Sequence, residues 1–299
     1  MRTDRSVYPT EHLPNSYVSR RSTEAQAFSA WTPPTGTLGE LTREAGERAN
    51  ALAPEKGRLR RAAAKASPQP SLAGALRRDQ VSVIAEVKRS SPSKGVINSG
   101  IDIDGQTQAY AAGGAAAISI LTEPTRFGGS NDDLVRARSR VDLPLLKKDF
   151  HVDVIQIFEA KALGASAALV IARAVNPKRM RELLKAGRDV DLEIVVEIRD
   201  EAELDLALTL EAQLIGVNNR NLETLEIDPE TSLRLLPLVP RSIVAIAESG
   251  VRTAADVERL AGAGADAVLV GTELSGSSDP EAAVRSLTGI ARTAGARKS

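Results

Sequence analysis

Eight times between Val81 and Val270, a short run of Val, Ile, Leu and Ala gives way to a longer stretch with helical spacing. The runs fall at 81–87, 116–121, 143–147, 167–171, 192–196, 213–217, 242–247 and 266–270. Strands that read as near-continuous apolar segments are buried on both faces, as in parallel sheets covered by helical crossovers. Eight such units in roughly 220 residues match the minimum (β/α)₈ barrel. A doubly wound open sheet is the alternative, but no G-x-G-x-x-G follows the first run.

Helix boundaries are marked by residue type. Asn176-Pro177, Asp228-Pro229 and Asp279-Pro280 each set an N-cap acceptor before a proline at the first helical position. Asp153 with Gln156, and Asp200 with Glu203, have capping-box spacing. Gly113-Gly114, Gly164, Gly187 and Gly262 suit left-handed helix ends. Val154, Phe158 and Ala162 fall four apart and predict the buried stripe of the helix after the third run.

Ahead of the first run, the pattern predicts a helix from Leu38 to about Ala66, whose basic stretch over 57–65 reads as a solvated face. A short helix is expected over Leu72–Arg77. Residues 1–36 show no period and are expected to be a loose, dispensable tail, so that a chain starting near Thr35 keeps its activity. The expected division is a tail at 1–36, a helical extension at 37–79 and a catalytic barrel at 80–299.

Composition removes several function classes. Formal net charge is zero, although residues 1–78 are net basic and the rest net acidic. That balance argues against nucleic acid or a membrane surface as the main partner. There is no cysteine, which excludes disulfides, thiolate metal ligands and cysteine nucleophiles, and fits a reducing cytoplasm. Two histidines make a His-rich metal site an unexpected use of this chain. No apolar stretch approaches the ~20 residues that span a bilayer, and the first residues lack the apolar core of a secretory signal.

Charged residues stand where core strands would ordinarily stop. Glu86, Lys88, Lys148, Glu197, Asn218 and Glu248 close five of the runs, and a barrel would gather them at its C-terminal mouth. Each alone could be a surface residue. Together they place ammonium and carboxylate groups where they shift one another's protonation and divide acid and base roles. Lys147 adjoins Lys148, and alternation sends only one inward; periodicity does not say which. After the seventh and eighth runs, A245-I-A-E-S-G250 and L269-V-G-T272 offer small residues and hydroxyls suited to a phosphate. Phe127 and Phe150, two of only four phenylalanines, lie in loops at the same end, either as loop anchors or as walls for a planar ligand.

I84-A-E-V-K-R-S-S-P-S-K-G95, G113-G-A-A-A-I-S-I-L-T-E123, K148-D-F150, V196-E197, I215-G-V-N-N-R-N-L-E-T-L225 and A247-E-S-G250 resemble the indole-3-glycerol-phosphate synthase family of tryptophan biosynthesis. The resemblance runs from about Leu38 to Ala294. It implies a (β/α)8 TIM barrel with an N-terminal helical extension over the mouth. It also implies a lyase that closes a ring in 1-(2-carboxyphenylamino)-1-deoxyribulose 5-phosphate, with loss of carbon dioxide and water. No metal or organic cofactor is implied.

Carried over position by position, Lys148 matches the general acid, Glu197 the base or proton shuttle of dehydration, and Lys88 the lysine that holds the substrate carboxylate. Glu86 and Asn218 match orienting residues, Ser91 and Ser249 active-site hydroxyls, and Arg220 an anion-contacting arginine. Phe127, Phe150 and Leu169 align with the anthranilate pocket, and Gly250, Gly271 and Thr272 with the phosphate cradle. The chain departs from the family pattern at Asn221, where Asp is common, at Val154, where Pro is common, and over T272-E-L-S-G-S-S278.

The implied partner is a small anionic sugar phosphate carrying an anthranilate ring, bound by a cytoplasmic monomer or weak oligomer. A Schiff-base aldolase using Lys148 or Lys88 and a non-catalytic barrel subunit are the competing readings. Phosphoribosylanthranilate isomerase shares the barrel but relies on a cysteine that this chain lacks.

Overall fold

The computed structural model describes residues 31–293 and 295–297. Strands β1 (Ser82–Val87), β2 (Ala117–Leu121), β3 (Leu145–Lys148), β4 (Ala167–Ile171), β5 (Glu193–Ile198), β6 (Leu214–Asn218), β7 (Val244–Glu248) and β8 (Ala267–Val270) form one closed barrel. Every pairing between them is parallel, and β8 closes on β1. The open-sheet alternative is therefore excluded. Each strand is buried along nearly its whole length, because side chains point alternately into the barrel and under the helical ring.

Among the described residues, three α-helices precede the barrel: α1 (Gly36–Leu52), α2 (Lys56–Lys65) and α3 (Leu72–Leu76). The crossovers supply α4 (Ile103–Ala112), α5 (Asn131–Arg138), α6 (Val154–Ala162), α7 (Pro177–Asp189), α8 (Glu201–Thr209), α9 (Glu230–Leu235) and α10 (Ala254–Ala263). The chain then closes with α11 (Thr272–Ser275) and α12 (Pro280–Arg285). In α1, Leu38, Leu41, Ala45 and Ala49 make one buried stripe at helical spacing. In α2 only Leu59 and Ala63 are buried, so its basic residues face water as expected.

Residues 31–35, assigned to the tail by their composition, are held against the barrel. Trp31 Nε1 donates to the Arg173 carbonyl at 3.4 Å, and Arg173 Nη1 donates to the Thr32 carbonyl at 2.6 Å. Thr35 gives its amide and its hydroxyl to Glu223. Residues 1–30 lie outside the described residues, and so does the greater part of that expectation.

Local expectations were met unevenly. Asn176 and Asp279 cap their helices, and Asp153 with Gln156 forms a complete capping box. Helix α9 starts one residue later than Asp228-Pro229 implies, with Asp228 accepting from the Glu230 amide. Asp200 caps α8, but Glu203 reaches past it to the Arg199 amide at 2.7 Å.

Gly114 and Gly164 take positive φ, whereas Gly187 and Gly262 lie inside helices; Asp191 and Gly264 turn left-handed instead. The buried stripe of α6 is also misplaced. Ile155, Gln156, Ile157, Ala160 and Lys161 are buried along with Phe158, while Val154 and Ala162 are only half-buried. A one-sided stripe presumes a solvated outer face, and here α1 and α2 pack over that face.

The far end of the barrel is locked by Asp266. Its carboxylate takes both Arg297 Nη2 contacts, at 2.6 and 2.7 Å, and the Ala245 amide at 2.8 Å, while Arg292 pairs with it from the side. Arg297 is 4% exposed and also donates to the Ile243 carbonyl. Removing one partner of a buried pair leaves the other uncompensated. Arg297→Met is therefore expected to lower the unfolding free energy in urea by about 3 kcal/mol; an unchanged midpoint would show that Arg292 alone suffices.

Candidate active site

All eight strands end at one rim, over which lies a cleft of about 1140 Å³ including its open mouth. Every residue picked from sequence lines it: Glu86, Lys88, Ser91, Phe127, Lys148, Phe150, Leu169, Glu197, Asn218, Arg220, Ser249, Gly250, Gly271 and Thr272. Strand register brings them together. Asn218 lies opposite Glu248 in the β6–β7 pair, and Ile171 opposite Glu197 in the β4–β5 pair.

Alternation resolves the adjacent lysines. Lys148 points into the mouth, where its Nζ lies 2.5 Å from Glu248 Oε2 and 3.2 Å from Glu197 Oε2. Lys147 points outward beneath α6, toward Asp149 at 3.3 Å and Glu159 at 3.6 Å. The Asn218 amide donates to the remaining Glu197 oxygen at 2.9 Å, and Asn218 Oδ1 accepts the Arg220 amide. Across the mouth, Lys88 Nζ stands 3.0 Å from Glu86 Oε1, and Ser119 Oγ donates to the other Glu86 oxygen.

Three carboxylates and two ammonium groups thus share one largely buried space. Burial works against charge on Lys148, but Glu248, Glu197 and Glu86 outweigh it and hold the ammonium above the usual lysine range. Burial also drives Glu248 up to about 7, helped by repulsion from Glu197 and Glu86 and only partly offset by Lys148. For Glu86 the balance reverses, because Lys88 and Lys148 overcome burial and lower it. A proton donor and proton acceptors are therefore in contact at one point, as general acid–base chemistry requires.

Glycines make the room. A Cβ at Gly216 would stand 2.2 Å from Glu248 Oε1, and one at Gly271 would stand 2.4 Å from Glu86 Oε1. Ser249 (φ 67°) and Gly250 (φ 88°) are both left-handed; for a serine that conformation is uncommon and clusters at functional turns. The two-residue ribbon pairing Ser90–Ser91 with Gly95–Val96 carries Ser91 to the rim. Phe127 and Phe150 face one another with ring centroids 6.3 Å apart and planes tilted by 39°.

Two residues without an assigned role from sequence belong to this arrangement. Glu248 was recognisable only as a rim residue, although it makes the shortest contact to Lys148. Asn219 was visible only as part of a motif. Its side chain donates to the Ser249 carbonyl and accepts the Ser232 amide, tying the left-handed turn to β6 and α9. The A-E-S-G motif carried the signal for Glu248; nothing in the spacing carried one for Asn219.

Behind β3, His151 is buried, with Nδ1 2.7 Å from the Leu169 carbonyl. Burial, reinforced by Lys147 and Arg48 and opposed by Asp149, depresses it to about 3. An unfolded chain takes up this proton near pH 6.5 while the native chain refuses it, so stability falls as pH drops through that window. The loss attributable to His151 approaches about 1.4 kcal/mol per pH unit. His151→Gln is expected to flatten the pH 6.5 to 5 dependence of urea unfolding relative to the parent; equal slopes in both would mean the imidazole is not held neutral.

A family model described as indole-3-glycerol phosphate synthase matches residues 42–287. Indole-3-glycerol phosphate synthase 1 of Streptomyces coelicolor is 48% identical over 229 residues, covering 77% of this chain and 85% of that protein. The Nocardioides sp. indole-3-glycerol phosphate synthase is 50% identical over 209 residues, covering 70% and 80%. Among solved structures, 3-hexulose-6-phosphate synthase of Salmonella typhimurium aligns with a TM-score of 0.56 at 14% identity, over 69% of this chain and 96% of that one. That likeness concerns the barrel alone.

Proposed function

The chain belongs to the indole-3-glycerol phosphate synthase family, and we propose that Lys148 and Glu197 are the acid and base with which it performs that reaction. It is a carbon–carbon lyase of tryptophan biosynthesis. The ring carbon that carries the carboxylate of 1-(2-carboxyphenylamino)-1-deoxyribulose 5-phosphate bonds to the ketone carbon. Carbon dioxide then leaves, and loss of the resulting hydroxyl as water completes the indole.

The contact of Lys148 Nζ with both Glu248 and Glu197 carries the residue assignment. Ring attack builds negative charge on the ketone oxygen, and an ammonium fixed in a water-poor mouth meets that charge without reorganisation. Lys148 supplies this proton and, once reprotonated from solvent, later protonates the departing hydroxyl. Glu197, oriented by Asn218, takes the proton released as the indole forms. Lys88, braced by Glu86, holds the substrate carboxylate until it leaves.

Phe127, Phe150 and Leu169 enclose the anthranilate ring. Ser91 and Ser249 add hydroxyl contacts and Arg220 an anion contact. Gly250, Gly271 and Thr272 cradle the phosphate with backbone amides. The charge held on Lys148 speaks against an aldolase that uses this lysine, since a Schiff-base lysine must first shed its proton.

No helix among the described residues is long and apolar enough to cross a membrane. With no cysteine in the chain, we place the enzyme in a reducing cytoplasm. Val96, Val135, Ile227 and Leu238 are large apolar side chains exposed among the described residues, each on a different segment, and we read the enzyme as a monomer or weak oligomer.

Lys148→Ala and Glu197→Gln are each expected to lower kcat by about 10²–10⁴-fold with the fold intact, as followed by indole fluorescence with the carboxyphenylamino substrate. Near-normal turnover in either variant rejects the role given to that residue. Borohydride trapping of substrate on the protein would instead favour the aldolase.

A further inference from the structure

Helix α1 carries a second stripe beside its apolar one. Glu40, Glu44 and Arg48 are spaced by four and therefore share a face. All three reach toward loops that bear the aromatic walls. Glu40 pairs with Arg126 at 2.6 Å, and Glu44 accepts the Thr125 hydroxyl at 2.9 Å. Arg48 goes deeper. Its Nη2 donates to Asp149 Oδ1 at 2.7 Å, and its Nη1 lies 3.7 Å from Glu123 Oε1.

Each of those carboxylates organises one aromatic residue. Asp149 Oδ1 also accepts the Phe150 amide at 2.8 Å, while Oδ2 accepts Thr122 Oγ1 at 2.7 Å. Glu123 gathers the amides of Thr125, Arg126 and Phe127 at 2.9, 2.7 and 3.0 Å, folding the loop that presents Phe127. Glu123 is fully buried and Asp149 nearly so, so neither can turn to water for another partner. One planar guanidinium therefore bridges the two supports on which the facing rings hang.

We propose that Arg48, acting through Asp149 and Glu123, is a positioning residue that sets the relative placement of Phe127 and Phe150, whose rings pack on each other as one wall for the aromatic end of the substrate. This rests on the reading of those two rings as the anthranilate walls. The helical extension then contributes to recognition without a side chain of this stripe touching the ligand. A lysine at this position would serve only in part, since a point-like ammonium lacks the fork that engages two carboxylates at once. The cluster does not depend on Arg48 for its existence. Lys147 and Thr122 still satisfy Asp149, and three amides still satisfy Glu123, so losing the bridge should loosen the rings without unfolding the loops.

The test is a double-mutant cycle on the full chain, with kcat and KM from indole fluorescence and thermal melts alongside. Arg48→Met is expected to raise KM about tenfold while kcat falls much less, and Arg48→Lys to lie between it and the parent. Because Arg48 works through the placement of these rings, adding Arg48→Met to Phe127→Ala should raise KM by less than about threefold beyond Phe127→Ala alone. Effects that multiply across the two sites, a loss confined to kcat, or no change in KM would each overturn the proposal. If Phe127→Ala leaves KM unaltered, the ring-wall reading itself is wrong and the proposal falls with it. Should Arg48→Met fail to fold, the same cycle run with Arg48→Lys decides the question.

Discussion

Glu86, Glu197 and Glu248 are packed into one barrel mouth, and two ammonium groups keep them from driving one another apart. An unpaired ion in such a place costs several kcal/mol, so each charge lowers the cost of burying those of opposite sign. That condition reaches back into the fold. β3 must end in phase with β5 and β7, and its pleat must send Lys148 inward and Lys147 under α6. A one-residue slip of β3 would exchange the two lysines and leave Glu197 and Glu248 facing each other without a cation. Closed parallel pairing around the barrel makes such a slip unfavourable, because every strand's register is shared with two neighbours.

The helical extension gives the mouth its second set of constraints. At its start, the chain is tied to the loop after β6 through Glu223, which holds Thr35 and pairs with Arg173. Further along α1, Glu40, Glu44 and Arg48 grip loops after β2 and β3. Segments far apart in sequence are thereby joined across the opening by one continuous element. A helix suits this task, since four-residue spacing aligns polar side chains on one face while Leu38, Leu41, Ala45 and Ala49 bury the adjacent one.

What could be read from the residues alone was what depends on local pattern. Apolar runs located all eight strands, and capping pairs such as Asp153 with Gln156 located helix starts, since both signals lie within a few residues. Charged strand ends such as Lys148 and Glu197 pointed to the candidate site because a barrel gathers them at one rim. The errors have a common cause. The stripe of α6 was misjudged because α1 and α2, remote in sequence, cover its outer face. The choice between Lys147 and Lys148 required the pleat, and the left-handed positions of Asp191 and Gly264 required the actual helix ends. Glu248 acts through a contact to another strand and Asn219 through contacts to a turn and a helix, and no spacing along a single strand announces such contacts.

Gly216 has a bearing on how the pocket could be redesigned. Even a methyl group there would run into the Glu248 carboxylate, so this position of β6 offers no place from which to build a new side chain toward the cleft. The loop that follows is different, for Leu222 and Leu225 are half-buried and Ile227 exposed, and all three border the cleft. Altered substrate selectivity in this scaffold is therefore to be sought along that apolar lip, with the floor left as it stands.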